Sequence, residues 1–369
     1  MKAICFQAVE RVSVETMADP APVQPGDVVV EVALAGLCGS DLHPYFGREA
    51  GLDPGTVMGH EFVGRVVAAG AAVRTFAVGD RVCAPFTTSC GDCFYCRSGL
   101  TARCTRGQLF GWRSGGAGLH GGQAGYVRVP LADGTLVKIP DGVSDETALL
   151  LGDNLSTGYY CAHLAGVEAG TAVAVVGCGT VGLLAVAWAL RLGAARVFAI
   201  DPVAARRALA AKLGAEVSAE EQAFDAAIRE ATEGRGVDAV MVVVGLPAAQ
   251  RLGYDVARPG ATLATIGCHA AGHFAFSPGE AYDKNLVYRS GRCPARHLMP
   301  GLARQLARQP MDLDWCITHR FSLTDGVEAY DVFAGRRDGC VKAALVSDGT
   351  DKLTIDSVGD SGKPLITPP

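Results

Sequence analysis

The chain has 369 residues, of which 49% are hydrophobic and 19% are charged, and its formal net charge is −5 at pH 7. This composition is typical of folded globular proteins and excludes a disordered or fibrous chain, while the length predicts two domains. Because the sequence has no long basic run, it offers no extended positive surface to a phosphate backbone. Nucleic acid is therefore not expected as a partner.

The N-terminal segment MKAICFQAVERVSVE contains no apolar stretch long enough for a signal peptide or a membrane span. Nine of the 13 cysteines are scattered singly along the chain, a distribution that suits a reducing compartment. We therefore expect a cytoplasmic protein with no membrane partner.

Short β-branched runs separated by glycine and proline fill the chain up to about residue 150. These runs are VVVEVALAG, EFVGRVVAAG, GDRVCAPF, AGYVRVP and TLVKIP. They predict a strand-rich, barrel-like domain. Between Thr105 and Gly125 the composition shifts to glycine and polar residues, and we interpret this segment as a long surface loop.

Four cysteines stand close together in SCGDCFYCRSGLTARC, in the order Cys90-x2-Cys93-x2-Cys96-x7-Cys104. Sulfur ligands at this spacing favour a closed tetrahedral site for structural zinc. Disulfides would need an oxidising compartment, and four neighbouring free thiols would repel one another on ionisation. The spacing therefore predicts a structural zinc, with no open position for chemistry.

From about residue 155 apolar runs alternate with helical patterns: TAVAVVG, LLAVAWALRLG, RVFAID and ARRALAAKLGA. Further runs are DAVMVVVG, ATLATIG and NLVYRSG. Alternating strands and helices predict a parallel sheet with right-handed crossovers. After about residue 292 the pattern becomes mixed again and ends in a polar tail.

The first of these strands runs into the glycine motif VAVVGCGTVG, with Gly177, Gly179 and Gly182 spaced G-x-G-x-x-G around Thr180 and Val181. A strand before the motif and a helix after it form the context of a dinucleotide-binding turn, in which the helix N-terminus attracts a pyrophosphate. The alternative is an ordinary strand-to-helix turn of another α/β protein.

Asp201 ends the next strand pattern, 19 residues after Gly182. A carboxylate there accepts hydrogen bonds from both hydroxyls of an adenine ribose and repels a 2′-phosphate, which favours NAD over NADP. Arg206 is either a second residue beside the ribose or a solvated helix cation.

Other metal-binding side chains are far apart in the sequence: Cys38 in GLCGSDLH, His60 and Glu61 in GHEFVG, and Asp153 in LLGDNLSTGYY. One thiolate, one imidazole and one carboxylate would leave a fourth position open, as in catalytic zinc sites. Spacing alone does not join them, because a lone buried histidine is more often part of a core.

The motifs GLCGSDLH, GHEFVG, the four-cysteine segment, STGYY and VVGCGTVG, in this order, resemble the zinc-dependent alcohol dehydrogenases of the medium-chain dehydrogenase/reductase family over essentially the whole chain. The resemblance implies an α/β protein with a GroES-like β-rich catalytic domain and a doubly wound Rossmann domain. The implied domains are residues 1–154, with the zinc lobe at about 89–105, then 155–292 for NAD, and 293–369 for the return to the catalytic domain and the tail.

The same resemblance implies two zinc ions per subunit and hydride transfer between an alcohol and NAD. Cys38 and His60 match the first two catalytic ligands, and Asp153 stands where the family often has cysteine, although members similar to glutathione-independent formaldehyde dehydrogenases also carry aspartate there. Glu61 follows His60 as in the family and is either a further ligand or an acid behind the ligands.

Ser40 and His43 match the family's proton relay, and Asp41 matches the acid that orients the ligand histidine. The alternatives are a turn residue for Ser40 and a surface histidine for His43. Lys342 in CVKAALV matches a cation that faces the cofactor phosphates, with a solvated lysine as the alternative.

The resemblance also implies a homodimer or homotetramer, with Asn285–Gly291 as a candidate interface strand. Alternative activities are an aldehyde dismutase with tightly held NAD and a polyol dehydrogenase. A redox sensor that binds NAD without catalysis is the alternative outside enzymes.

Overall fold

The computed structural model describes residues 1–268 and 273–347. These residues form two compact units, the first made of residues 1–156 and 294–347 and the second of residues 157–293. The polar tail assigned to the end of the chain lies outside the described residues. Among the described residues, no helix combines the length and apolarity that crossing a membrane requires.

The strands of the described ranges, in chain order, are β1 (Lys2–Ala8), β2 (Arg11–Thr16), β3 (Val28–Gly36), β4 (Glu61–Ala69), β5 (Arg81–Cys83), β6 (Trp112–Ser114), β7 (Ala117–Leu119), β8 (Tyr126–Val129), β9 (Val137–Lys138), β10 (Ala172–Val176), β11 (Arg196–Ile200), β12 (Glu216–Ser218), β13 (Val237–Val242), β14 (Ala257–Thr265), β15 (Val287–Ser290), β16 (His319–Ser322) and β17 (Ala343–Val346).

The α-helices of the same ranges are α1 (Leu42–Tyr45), α2 (Phe94–Arg97), α3 (Ala132–Thr135), α4 (Asp145–Gly152), α5 (Asn154–Ala165), α6 (Thr180–Arg191), α7 (Ala204–Leu213), α8 (Glu221–Ala231), α9 (Pro247–Val256), α10 (Pro278–Asp283), α11 (Ala295–Arg308) and α12 (Gly326–Ala334).

A seven-stranded sheet forms the frame of the first unit. Its strand order is β16-β17-β3-β4-β5-β9, and β8 also pairs with β3. Alternate valines of β3, Val28, Val30 and Val32, enter one buried core together with Phe62 and Val66 of β4, as the period of a strand requires. The predicted strand-rich first domain is confirmed.

A parallel six-stranded sheet forms the frame of the second unit, in the order β12-β11-β10-β13-β14-β15. Counted from β10, this is the order 3-2-1-4-5-6 of a Rossmann sheet, in which the first strand lies at the centre. The apolar residues of β10 and β13 are buried apart from Ala172, because helices cover both faces of such a sheet. The Rossmann prediction is confirmed.

The prediction of a loop without regular structure between Thr105 and Gly125 is wrong. Strands β6 and β7 pair there as an antiparallel hairpin. Its turn residues Gly115 and Gly116 have φ of 59° and 81°, the left-handed values that a two-residue hairpin turn demands. Their N–H groups donate to the two carboxylate oxygens of Asp53 at 3.0 and 2.8 Å, which fixes the turn.

Candidate active site

Three element ends bring the separated metal-binding side chains together in the first unit. Cys38 follows β3, and His60 immediately precedes β4. Gly36 pairs with Glu61 across these antiparallel strands, so the end of β3 lies beside the start of β4. Asp153 follows α4, whose N-terminus is capped by the Ser144 hydroxyl, which accepts from Thr147 N–H at 3.1 Å.

Cys38, His60 and Asp153, here called the ligand triad, meet within bonding reach of one ion. The Asp153 Oδ2 atom lies 3.4 Å from Cys38 Sγ and 3.4 Å from His60 Nε2. One donor atom from each, together with one from Glu61, lies within 4.8 Å of the others. The Ser40 hydroxyl is 3.2 Å from both Cys38 Sγ and His60 Nε2, so it faces the same point.

The chemistry of this donor set fits a zinc ion. Sulfur, imidazole nitrogen and carboxylate oxygen are the three ligand types of zinc, and here they share one buried place. Glu61 Oε1 is buried without a hydrogen-bond partner among the described residues. Such concentrated negative charge is unfavourable in a buried site unless cations balance it.

Asp41 holds the imidazole in the orientation that a metal ligand needs. His60 Nδ1–H donates to Asp41 Oδ1 at 3.0 Å, which directs Nε2 toward the other two members of the triad. Burial alone would lower the pKa of His60, but Asp41, Asp153 and Cys38 together raise it well above its usual value. Burial raises the pKa of the Cys38 thiol, and Asp153 and Glu61 raise it further.

Lys342 lies in the interior of the first unit, beside Glu61. It is wholly buried, so it is not a solvated lysine. Its ammonium group pairs with Glu61 Oε2 and donates to the Leu37 carbonyl at 2.9 Å. In this structure Lys342 is the counter-ion of Glu61, because a buried carboxylate requires a nearby cation. The role of Lys342 toward the cofactor phosphates stays a prediction.

The two residues of the predicted relay are placed differently. Ser40 touches the triad, whereas His43 is half-buried on α1. The backbone N–H of His43 donates to the Ser40 carbonyl at 3.1 Å, but their side chains share no hydrogen bond in the described structure. Ser40 therefore lies in the site, and His43 lies one turn further along the chain.

The cysteine lobe, defined by Cys90, Cys93, Cys96 and Cys104, also gathers its four sulfurs within 4.8 Å of one another. Backbone N–H groups of the lobe itself point at sulfur: that of Cys90 donates to Cys104 Sγ at 3.2 Å, and that of Cys93 donates to Cys90 Sγ at 3.4 Å. No disulfide joins any of the 13 cysteines, all of which lie within the described residues. The lobe thus has the composition of a closed zinc site.

In the second unit the glycine motif forms the turn between β10 and α6. Gly177 has φ of 99°, and a Cβ on Gly182 would lie 1.9 Å from the Gly177 carbonyl oxygen. Both positions therefore require glycine. Thr180 and Val181 form the first turn of α6, with Gly179 as the residue before it, so the N–H groups at the start of this helix lie at the motif.

Asp201 follows β11 and lies beside this turn. Its carboxylate accepts from Cys178 N–H and Val203 N–H, both at 2.8 Å. The Arg206 guanidinium approaches Asp201 Oδ2 at 3.8 Å. The predicted ribose-binding residues are thus adjacent.

Three residues near the ligand triad were not singled out from the sequence. Asn154 donates to Asp153 Oδ2 at 3.1 Å, and its position next to Asp153 was a usable signal. Gln123 donates to Asp41 Oδ2 at 3.3 Å, and Tyr330 donates to Gln123 Oε1 at 2.9 Å. Nothing local in the sequence marks these last two.

Two family models match the chain. The model described as Alcohol dehydrogenase GroES-like domain matches residues 24–141, and the model described as Zinc-binding dehydrogenase matches residues 180–308. Zinc-type alcohol dehydrogenase B of Aspergillus flavus is 40% identical over 90% of this chain and 78% of its own length. These matches cover both units.

Solved structures give the same result. Alcohol dehydrogenase TADH from Thermus sp. ATN1 superposes with a TM-score of 0.89 at 35% identity, over 94% of this chain and all of that one. A putative zinc-binding dehydrogenase from Sinorhizobium meliloti 1021, bound to NADP, has a TM-score of 0.80 at 28% identity over 94% and 98% of the two chains. The chain therefore belongs to the zinc-dependent alcohol dehydrogenases of the medium-chain dehydrogenase/reductase family, and it is an alcohol oxidoreductase that uses zinc and a nicotinamide cofactor.

Proposed function

We propose that this enzyme transfers hydride between an alcohol and NAD, interconverting the alcohol with an aldehyde or ketone. The observation that carries the choice of NAD is the carboxylate of Asp201 beside the glycine turn. Each of its oxygens accepts one backbone N–H, and each retains a lone pair for a ribose hydroxyl. Its negative charge opposes a 2′-phosphate.

We further propose that Cys38 Sγ, His60 Nε2 and Asp153 Oδ2 hold the catalytic zinc, with Glu61 as an additional ligand when its carboxylate turns from Lys342. The cysteine lobe would hold the structural zinc. When bound, zinc supplies Lewis acidity toward the alcohol hydroxyl and NAD supplies the hydride acceptor. The remaining tasks, which are orientation and proton transfer, fall to side chains of this chain.

Ser40 is proposed to take the proton of the substrate hydroxyl. Its Oγ is the hydroxyl oxygen that contacts two members of the triad, so an alcohol that enters the site meets it at hydrogen-bond distance. His43, one turn further along the chain, is proposed as the later acceptor of this proton, because an imidazole ring can bind and release a proton. Asp41 and Asn154 keep His60 and Asp153 in the required orientation.

NADP is the second candidate cofactor, because the Arg206 guanidinium lies near Asp201 and the Sinorhizobium meliloti structure contains NADP. The discriminating measurement is kcat/KM for NAD and for NADP with a panel of primary and secondary alcohols, with and without a chelator. The proposal requires a preference for NAD and loss of turnover on chelation. A preference for NADP would overturn the assignment of Asp201.

A matched pair of variants tests that assignment directly. Asp201→Ala should lower kcat/KM with NAD by about tenfold, the loss of about 1.4 kcal/mol of binding. Asp225→Ala removes an exposed carboxylate that pairs with Arg229 on α8 and should leave kcat/KM unchanged. Equal effects of the two substitutions would contradict the proposal.

We also propose a cytoplasmic homodimer or homotetramer. Among the described residues, strand β15 lies at the edge of the second unit's sheet, and Val287 on it is exposed, so this edge can pair with a second copy. Light scattering of the purified protein tests this. A monomer at micromolar concentration would contradict it.

A further inference from the structure

Asp41 is the meeting point of a buried hydrogen-bond chain that extends beyond the ligand triad. Its Oδ1 accepts from His60 Nδ1–H at 3.0 Å, and its Oδ2 accepts from the Cys38 backbone N–H at 2.9 Å. The same Oδ2 accepts from Gln123 Nε2 at 3.3 Å. Because both oxygens are used, any rotation of this carboxylate moves His60 and the Cys38 backbone together.

The side-chain amide of Gln123 has a single satisfactory orientation. Its Nε2 donates to the Gly36 carbonyl at 3.1 Å and to Asp41, while its Oε1 accepts from the Tyr330 hydroxyl at 2.9 Å. A flipped amide would direct its oxygen at a carbonyl and a carboxylate, neither of which has a proton to donate. Tyr330 therefore determines which face of the amide meets Asp41.

The surroundings keep Gln123 in place. Gln123 and Tyr330 are fully buried, where each lost hydrogen bond leaves an unpaired polar group. Gln123 N–H donates to the Met58 carbonyl at 2.9 Å. A Cβ on Gly59 would lie 2.3 Å from Gln123 Cγ, so this side chain packs directly on the residue that precedes His60.

We propose that Gln123 and Tyr330 are positioning residues of the metal site, which fix Asp41 and through it His60 and the Cys38 backbone. The inference rests on the proposed function, because it takes His60 and Cys38 as metal ligands. The chain of contacts runs from Tyr330 on α12 through Gln123 and Asp41 to His60. Among the hydrogen bonds of the described residues, those of the Gln123 and Tyr330 side chains go to Gly36, to Asp41 and to each other.

The test uses the full-length enzyme with Co²⁺ exchanged into its metal sites. The difference spectrum between the wild-type protein and Cys38→Ala isolates the visible bands of the triad site. Gln123→Met, which keeps the length but removes both hydrogen-bonding groups, should shift these bands and increase chelator-driven metal loss by about 10–100-fold, the usual cost of losing an outer hydrogen bond. Tyr330→Phe should act in the same direction with a smaller effect.

Two comparisons separate positioning from general destabilisation. Val129→Ala creates a cavity in the same core without touching the hydrogen-bond chain, and it should lower the melting temperature while leaving the cobalt bands unchanged. The double variant Gln123→Met with Tyr330→Phe should resemble Gln123→Met alone, since both changes interrupt one chain.

The outcomes also distinguish this inference from the proposed function. If wild type and Cys38→Ala give identical cobalt spectra, the triad is not a metal site and the proposed function fails. If their spectra differ but Gln123→Met matches wild type in bands and metal retention, the positioning role alone is overturned.

Discussion

The cysteine lobe and the ligand triad both gather metal-binding side chains in the first unit, but they are assembled over very different stretches of chain. The lobe takes four sulfurs from 15 consecutive residues, Cys90 to Cys104, and its own backbone N–H groups point at them. The triad joins three donor types from element ends as far apart as Cys38 and Asp153, 115 residues apart.

This difference separates a locally encoded site from one encoded by the fold. The lobe takes all its sulfurs from one short segment, which includes α2, whereas the triad needs the pairing of β3 with β4 and the correct end of α4. Side chains that stand close to the ligands in sequence, Ser40, Asp41 and Asn154, then surround the triad. We therefore expect changes in the triad to alter chemistry and changes in the lobe to alter stability.

The largest expected effect comes from removing a triad ligand. Cys38→Ala should lower kcat/KM by about 1,000-fold, since Lewis acidity supplies several kcal/mol of transition-state stabilisation. Zinc analysis should show that one of two ions is lost, with a melting temperature close to that of the wild-type protein. Full turnover of Cys38→Ala, or the loss of both ions from it, would contradict the assignment of chemistry to the triad and of stability to the lobe.

Lys342→Met should have the next largest effect, which is a decrease in the free energy of unfolding. It leaves the Glu61 carboxylate buried without its cation, and breaking a buried pair in this way costs about 3–5 kcal/mol. The free energy of unfolding in urea measures the loss. The double variant Glu61→Gln with Lys342→Met should recover most of it, because no buried charge is left unpaired; failure to recover would mean that Lys342 stabilises the fold through packing.

A change in the lobe should produce the opposite pattern to Cys38→Ala. Cys96 is the buried cysteine of the lobe, and Cys96→Ser should lower the free energy of unfolding by about 3 kcal/mol, a fraction of the ~10–16 kcal/mol of structural zinc binding. The triad contacts lie outside the lobe, so kcat per folded, zinc-loaded molecule should stay the same. A large fall in kcat at unchanged stability would show that the lobe takes part in the chemistry.

The contrast also explains what the sequence could and could not predict. The lobe could be predicted from its cysteine spacing, and the glycine motif could be predicted from its place between a strand and a helix, because both patterns are local in the sequence. The triad required a resemblance, since no spacing rule connects Cys38 with Asp153. The hairpin of β6 and β7 was missed because its glycines are typical of a loop. The carboxylate that fixes its turn belongs to Asp53, over 60 residues earlier in the sequence.

The contact between Lys342 and Glu61 was missed for a similar reason. The two residues are 281 positions apart in sequence, and they meet only because β17 and β4 both pair with β3. Gln123 and Tyr330 are 207 residues apart and are equally invisible to local patterns. Hydrogen-bond chains that cross a sheet depend on register, which composition and periodicity do not specify.

Zinc binding at the triad should also depend on pH. Burial would lower the pKa of His60, but Asp41, Asp153 and Cys38 raise it well above its usual value, and burial, Asp153 and Glu61 raise the pKa of Cys38. Both groups therefore carry a proton in the metal-free protein at neutral pH. Zinc binds the neutral imidazole and the thiolate, so binding must release both protons.

Zinc affinity should therefore fall as the pH is lowered, by about tenfold per pH unit for each released proton. Chelator competition across neutral pH measures the slope. Asp41→Asn removes the largest influence that raises the pKa of His60, so its slope should be shallower by up to one proton even if its affinity is also lower. A zinc affinity that does not change with pH would mean that His60 and Cys38 are already deprotonated without metal. The acidic side chains buried around His60 would then need another cation to balance their charge.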